Sequence, residues 1–182
     1  MTAPAEIDTL PPLVLYGQPV LHTPTAPVTD FDDNLRRLID AMFATMAAAP
    51  GVGLAANQVG VGLRVFVYDC GPDARGHMIN PTVERLPGGL QPDDEEEGCL
   101  SVPGLSYPTP RAMNVRCGGV DLHGSPISVE ATGYLARCFQ HEVDHLDGMV
   151  YVERLGGRTR KQALRDMKSC DWYGQALLPV SA

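Results

Sequence analysis

The five residues His141-Glu142-Val143-Asp144-His145 constrain this chain more than any other stretch. They read H-E-x-x-H, and the surrounding segment, Tyr134 to Leu146, is predicted to be helical. Four residues on a helix turn through about 400°, so the two imidazoles stack on one face. Two neutral imidazole nitrogens so placed can bind one divalent metal. Glu142 lies one step round the helix, where a carboxylate can act as a general base without being a ligand. With 5 His and 8 Glu in 182 residues, chance supplies only about 0.006 such matches, so the pattern carries weight. Tyr134, Leu135, Ala136, Cys138, Phe139, Val143 and Leu146 cover most of the circumference, which is the signature of a buried helix. Buried ionisable side chains need a partner, and a metal is one.

The rest of the chain supplies the frame. From Asp32 to Ala49 the apolar residues Leu35, Leu38, Ile39, Met42, Phe43 and Met46 recur at helical spacing, and Pro50-Gly51 stops the run. A glycine-rich loop is predicted at Gly51 to Gln58. Leu63 to Asp69 reads as a strand, and a short one is expected from His77 to Asn80, closed by Pro81. Met113 to Leu122 and Ile127 to Thr132 read as a hairpin. The acidic run Asp93 to Glu97 reads mostly as a solvated face. The expected fold class is α+β, with mixed or antiparallel strands packed around a central buried helix carrying H-E-x-x-H. A length of 182 residues suits one catalytic domain, with 1–12 as a flexible arm and 157–182 as a C-terminal helix and tail.

Composition narrows the function classes. A net charge of −8 argues against holding DNA or RNA by phosphate neutralisation. No apolar run is long enough to span a membrane, and Met1 to Leu10 lacks the features of a secretory signal. With five irregularly spaced cysteines, this favours reduced thiols and a cytoplasmic location. Oligomeric state is not legible.

Two histidines do not complete a catalytic metal site, which takes a third protein ligand and leaves one position open. His22, His77, His123, the carboxylates and the cysteines are all candidates. The longer H-E-x-x-H-x-x-G-x-x-H pattern fails, because position 151 is tyrosine. A metallopeptidase with a downstream carboxylate ligand such as Glu153 stays open. So does a structural metal-binding module closed by another cysteine, such as Cys138.

Upstream stands Glu97-Gly98-Cys99-Leu100-Ser101. With Gly51 to Gln58 and Gln140 to His145, it resembles the peptide deformylase family, marked by G-x-G-x-A-A-x-Q, E-G-C-L-S and Q-H-E-x-D-H in that order. The likeness covers roughly residues 11–155. It implies hydrolysis of the N-formyl group from the formyl-methionine of nascent polypeptides, with release of formate. It implies Cys99, His141 and His145 as ligands to one divalent metal, Fe²⁺ natively with Zn²⁺ or Ni²⁺ as substitutes. Glu142 is implied as the acid/base, and the Gln58 amide and the Leu100 N–H as oxyanion donors. The methionine slot is implied at Val52, Leu100, Tyr134 and Cys138, with Gly53 bonding the peptide backbone and Arg137 flanking the slot. A buried carboxylate near the histidines, Asp144, is expected to pair with Arg111 or to orient a group behind the ligands. The helix with Arg158, Arg160, Lys161, Arg165 and Lys168 carries five of the 14 Lys and Arg residues, and weak ribosome docking through it is expected.

Overall fold

A computed structural model describes residues 10–92 and 94–180. Of the expected arm, residues 1–9 lie outside the described residues; Leu13, Val14, Leu15 and Leu21, just beyond it, are fully packed. In chain order the elements are β1 (Leu13–Val14), α1 (Asp33–Ala48), β2 (Gly53–Ala55), β3 (Val65–Asp69), β4 (Arg75–Arg85), β5 (Glu96–Cys99) and β6 (Val102–Pro108). Then come β7 (Asn114–Val120), β8 (Pro126–Thr132), α2 (Gly133–Leu146), α3 (Gly157–Lys168) and β9 (Leu177–Leu178).

The main sheet has the order β2-β3-β4-β7-β8, and every named ladder is antiparallel. A single parallel bridge joins Ala26 and Leu63. β3 explains the layering. Its residues Val65 to Tyr68 are all buried because a helix covers each face. Val65 and Val67 meet the stripe Leu35, Ile39, Met42 and Met46 of α1. Phe66 and Tyr68 point the other way, against Phe139 of α2, with ring centroids 5.7 and 4.9 Å apart. Period 2 on the strand thus meets period 3.6 on both helices. α1 begins where it does because the Asp32 side chain accepts the N–H groups of Asn34 and Leu35, both at 3.0 Å.

Two local expectations need correction. The strand expected at 77–80 runs on through Pro81 to Arg85. The register shifts between Ile79 and Thr82, and Asn80 takes a positive φ of 51°. Proline lacks the ladder donor, and a bulge is where a strand tolerates it. Asn80 holds the bulge by exchanging bonds of 2.8 and 2.9 Å with the Val28 backbone. The glycine-rich segment is not a loop: it forms β2 and a 3₁₀ turn, Ala56–Val59. Within the C-terminal tail, β9 pairs with β1. Gly148, expected as the stop of α2, has a φ of 79°, and a Cβ there would sit 2.9 Å from the Thr23 backbone. The glycine both ends the helix and lets the N-terminal segment cross it.

Candidate metal centre

α2 is the buried element expected from its composition: every residue from Ala136 to Leu146 is buried. His141 and His145 lie one turn apart, with ring centroids 4.8 Å apart and their Nε2 atoms separated by 3.2 Å. The β5–β6 hairpin brings the third group. Cys99 Sγ lies 3.1 Å from His145 Nε2, and the three donor atoms fall within 4.8 Å of one another. Among the described residues this is the one cluster of such groups able to hold a metal ion. Cys138 and Glu153 are outside it. Cys138 faces the Val52 carbonyl, and Glu153 accepts the Val150 N–H and lies 3.4 Å from His22. That removes the ligand sets proposed for a metallopeptidase and for a closed structural module.

The donor set fits a divalent cation. A tetrahedral ion with bonds of about 2.0–2.3 Å has ligand–ligand edges of roughly 3.3–3.7 Å, close to the 3.1 and 3.2 Å from His145 Nε2 to Cys99 Sγ and to His141 Nε2. His141 Nδ1 is 2.6 Å from Glu97 Oε1. With the ring proton on that nitrogen, the lone pair on Nε2 faces Cys99 and His145. The Cys99 sulfur receives the Ser101 N–H at 3.4 Å and the Gln58 side-chain amide at 3.5 Å. Two donors aimed at one sulfur suit a thiolate, the form that binds metal. Burial works against an imidazolium at His141, yet Cys99 and Glu97 outweigh it and raise its basicity well above the ordinary value. Burial and then His141 push His145 the opposite way. One positive charge is welcome among these donors, and a metal answers that need without a buried proton.

Glu97 is the site residue that the sequence reading did not single out. Asp94, Glu95 and Glu96 of the acidic run are exposed, as expected for most of it, but Glu97 is only 4% exposed. Burial alone would raise its pKa, but Arg111 and His141 hold the carboxyl at about 2. Arg111 donates to both Glu97 oxygens, at 2.8 and 2.6 Å, and to Asp144 at 2.6 Å. The expected Asp144–Arg111 pair is therefore present, extended by Arg154, whose guanidinium grips both Asp144 oxygens. The chain His141–Glu97–Arg111–Asp144–Arg154 clamps the hairpin to α2. The clue to Glu97 was the motif next door: with Cys99 on the site side of a strand, Glu97 shares its face.

Glu142 is 3% exposed, and its Oε2 has no partner among the described residues. Burial lifts its pKa to about 7, with His141 pulling against the rise. A carboxylate so tuned can take and return a proton near neutrality. Gly53 of β2 makes room for it: a Cβ there would run into the Glu142 carboxylate and stand 2.9 Å from the Cys138 sulfur. In front of Glu142 lies a cavity of about 250 Å³. Val52, Gly53, Leu100, Tyr134, Arg137, Cys138, His141 and Glu142 all line it, so the expected substrate residues share one space with the ligand His141 and with Glu142. Tyr134 stands at the mouth, 58% exposed. Arg137 is committed elsewhere: it donates to Gln91, to the Glu95 carbonyl and to the Glu95 carboxylate, each at 2.9 Å. It fixes the pocket wall. The Gln58 amide NH₂ also reaches the Ser101 hydroxyl at 3.2 Å, while its oxygen accepts the Ala55 N–H at 2.9 Å.

The polypeptide deformylase family model matches residues 10–161. The chain is 49% identical to a peptide deformylase of Acidothermus cellulolyticus, over 91% of this chain and 90% of that one. It is 50% identical to one of Mycobacterium leprae, over 88% and 89%. Among solved structures, a peptide deformylase of Thermus thermophilus superposes with a TM-score of 0.77 at 41% identity, covering 87% of this chain and 93% of that one. One of Synechococcus elongatus, in complex with actinonin, gives 0.82 at 36% identity, covering 97% and 96%.

Proposed function

This chain belongs to the polypeptide deformylase family, and from that premise we propose the residues by which it performs the family's reaction. The reaction is metal-dependent hydrolysis of the N-formyl group from the formyl-methionine of nascent polypeptides, with release of formate. The observation that carries the assignment of roles is the convergence of Cys99, His141 and His145 beside an unpartnered, buried Glu142.

Cys99, His141 and His145 are the three protein ligands. The ion, when bound, polarises the formyl group and brings the pKa of water toward neutrality. Glu142 takes the proton of the attacking water and passes it to the departing nitrogen. Its raised basicity suits both halves of that exchange. The Gln58 amide and the Leu100 N–H stabilise the oxyanion as the carbonyl carbon becomes tetrahedral. Gln58 is pre-aimed, since its oxygen is tied to Ala55 and only its NH₂ turns toward Cys99 and Ser101. Val52, Leu100, Tyr134 and Cys138 receive the methionine side chain, and the Gly53 backbone bonds the peptide. Glu97 keeps His141 in the ligating tautomer.

Fe²⁺ is proposed as the native ion, replaceable by Zn²⁺ or Ni²⁺, because a thiolate and two imidazoles accept all three. Residues 1–182 are proposed to form one catalytic domain. A cytoplasmic location follows from nascent chains as substrate; among the described residues no helix is long and apolar enough to cross a membrane. Weak ribosome docking is proposed through α3, where Arg158, Lys161, Arg165 and Lys168 are exposed. Unchanged ribosome pelleting after charge reversal at Arg158, Arg160 and Lys161 would remove that element. The catalytic proposal is tested by formate release from formyl-Met-Ala-Ser by anaerobically purified enzyme, beside Glu142→Ala. Loss of turnover with the metal retained is expected; retained turnover refutes the role of Glu142.

A further inference from the structure

Two thiols outside the metal centre meet at one carbonyl. Cys70 directly follows β3, and Cys138 lies on α2 one turn before His141. Both sulfurs stand 3.7 Å from the Val52 carbonyl oxygen, which also accepts the Asp69 N–H at 2.8 Å. The two thiols are hydrogen-bonded to each other as well. Cys138 is buried and lines the cavity in front of Glu142, whereas Cys70 is half-buried and lies outside that lining. The remaining thiols are placed differently. Cys99 belongs to the metal centre, Cys117 is a core residue whose thiol burial pushes up to about 12, and Cys170 donates to the Asp166 carbonyl within the C-terminal helix.

The pair is asymmetric. The hydrogen bond from Cys138 holds the Cys70 thiol below its ordinary range, while the same bond and then burial push Cys138 well above it. The thiolate therefore forms at Cys70, on the more open side, with Cys138 as its neighbour and donor. A reachable thiolate beside a second thiol is the arrangement of a redox-active pair. Sulfurs already in hydrogen-bond contact need only a short approach to reach the disulfide length of about 2.05 Å. Cys70 lies just past the last ladder pair of β3 and β4, Asp69 with Arg75, so its backbone is free of the sheet register and can follow the sulfur.

From the convergence of both sulfurs on the Val52 carbonyl, at the wall of the substrate cavity, we infer that Cys70 and Cys138 are a reversible oxidation site whose disulfide reshapes the methionine slot. The oxidant is hydrogen peroxide. The Cys70 thiolate attacks one peroxide oxygen, the O–O bond breaks, and Cys70 sulfenic acid and hydroxide result. The Cys138 sulfur then attacks the Cys70 sulfur, the S–S bond forms, and the sulfenic hydroxyl leaves with the Cys138 proton as water. Two thiols lose two electrons in all, and one peroxide becomes two waters. The bond ties α2 to the end of β3 and draws the Cys138 sulfur out of the cavity wall toward Cys70. That sulfur packs on Gly53, where an added Cβ would stand 2.9 Å from it, so its displacement disturbs the strand proposed to bond the peptide. The consequence for turnover rests on the deformylase reading of the cavity; formation of the bond does not.

The experiment treats Zn²⁺-loaded enzyme, whose metal has no redox chemistry of its own, with a small molar excess of hydrogen peroxide. Trypsin cuts after Arg64, Arg75, Arg137 and Arg154, so the two thiols fall in separate peptides, 65–75 and 138–154, neither of which holds another cysteine. After alkylation of free thiols, these two peptides are expected to appear joined, and the intact protein to be lighter by two hydrogens. With formyl-Met-Ala-Ser, kcat/KM is expected to fall roughly tenfold, mainly through KM, with zinc content unchanged. A phosphine reductant is expected to restore it. Cys70→Ser and Cys70→Ala, each compared with its own untreated form, are expected to keep their kcat/KM under peroxide. Peptides that stay separate overturn the inference. Joined peptides with unchanged kcat/KM overturn the effect on the slot. An equal loss in the Cys70 variants, or a loss that tracks release of zinc, places the damage at Cys99 and overturns it too. Untreated enzyme that hydrolyses no formyl peptide overturns the deformylase reading, while the peptide map still decides whether the disulfide forms.

Discussion

Replacing Arg111 by methionine tests the clamp behind the histidines. The guanidinium is 2% exposed and lies between Glu97 and Asp144, both nearly as deeply buried. Asp144 keeps Arg154, but Glu97 is left with His141 alone. Removing one partner of a buried ion pair costs about 3–5 kcal/mol. The pKa gives a ceiling of similar size: a carboxyl held at about 2 rather than its ordinary value of 4.5 corresponds to about 3 kcal/mol, of which His141 contributes part. For a chain of this length, 1 kcal/mol moves Tm by about 2–4 °C, so a fall of about 6–12 °C is expected at pH 7. The pH dependence has a definite sign. Glu97 has its pKa depressed by folding, so its contribution is complete above pH 4.5 and disappears as pH falls toward 2. The Tm gap between wild type and Arg111→Met should therefore close as pH is lowered across that window. The assay is circular-dichroism melting of metal-free and metal-loaded protein, with metal content measured alongside. A Tm within about 2 °C of wild type at pH 7, or a gap that stays constant down to about pH 3, would refute the reasoning.

Three further outcomes are expected. Glu142→Gln should lower kcat by about 10²–10⁴ with metal content unchanged. In wild type kcat/KM should rise with pH through an ionisation between 4.5 and about 7, since burial raises Glu142 and a bound cation lowers it; the rise should vanish in the variant. Cys99→Ala should abolish stoichiometric metal binding by elemental analysis, whereas Cys138→Ala should retain it. Gln58→Leu should reduce kcat by about 10²–10³ through loss of an oxyanion donor, and lower Tm by roughly 2–12 °C because the buried Ala55 N–H loses its acceptor; an unchanged kcat would remove Gln58 from the reaction.

Much of the site was readable because its defining pair is local. His141 and His145 are spaced for one helix face whatever surrounds them, and the apolar residues around that helix announced its burial. The same logic located α1 from Leu35, Ile39, Met42 and Met46. Reading failed where a distant partner reversed a local tendency. Glu97 stands in a run of acids that would be solvated, but Arg111, 14 residues on, takes it into the core. Pro81 would close a strand, but Asn80 bonds to Val28, 52 residues away, and carries the ladder across the bulge. Arg137, expected to flank the slot, does line the cavity; that Gln91 and Glu95 fix it there could not be read locally, because they lie more than 40 residues away.

Residue order was enough to pair two imidazoles with a carboxylate, because helix geometry sets those positions within a single turn. Three ordered motifs were likewise enough to point to a family. Folding in three dimensions was needed to bring the Cys99 sulfur to those rings, to set Glu97 behind one of them, and to pair the C-terminal strand β9 with β1. Each of these contacts joins segments far apart in the chain, and their meeting is set by how sheet, hairpin and helix pack rather than by any local preference.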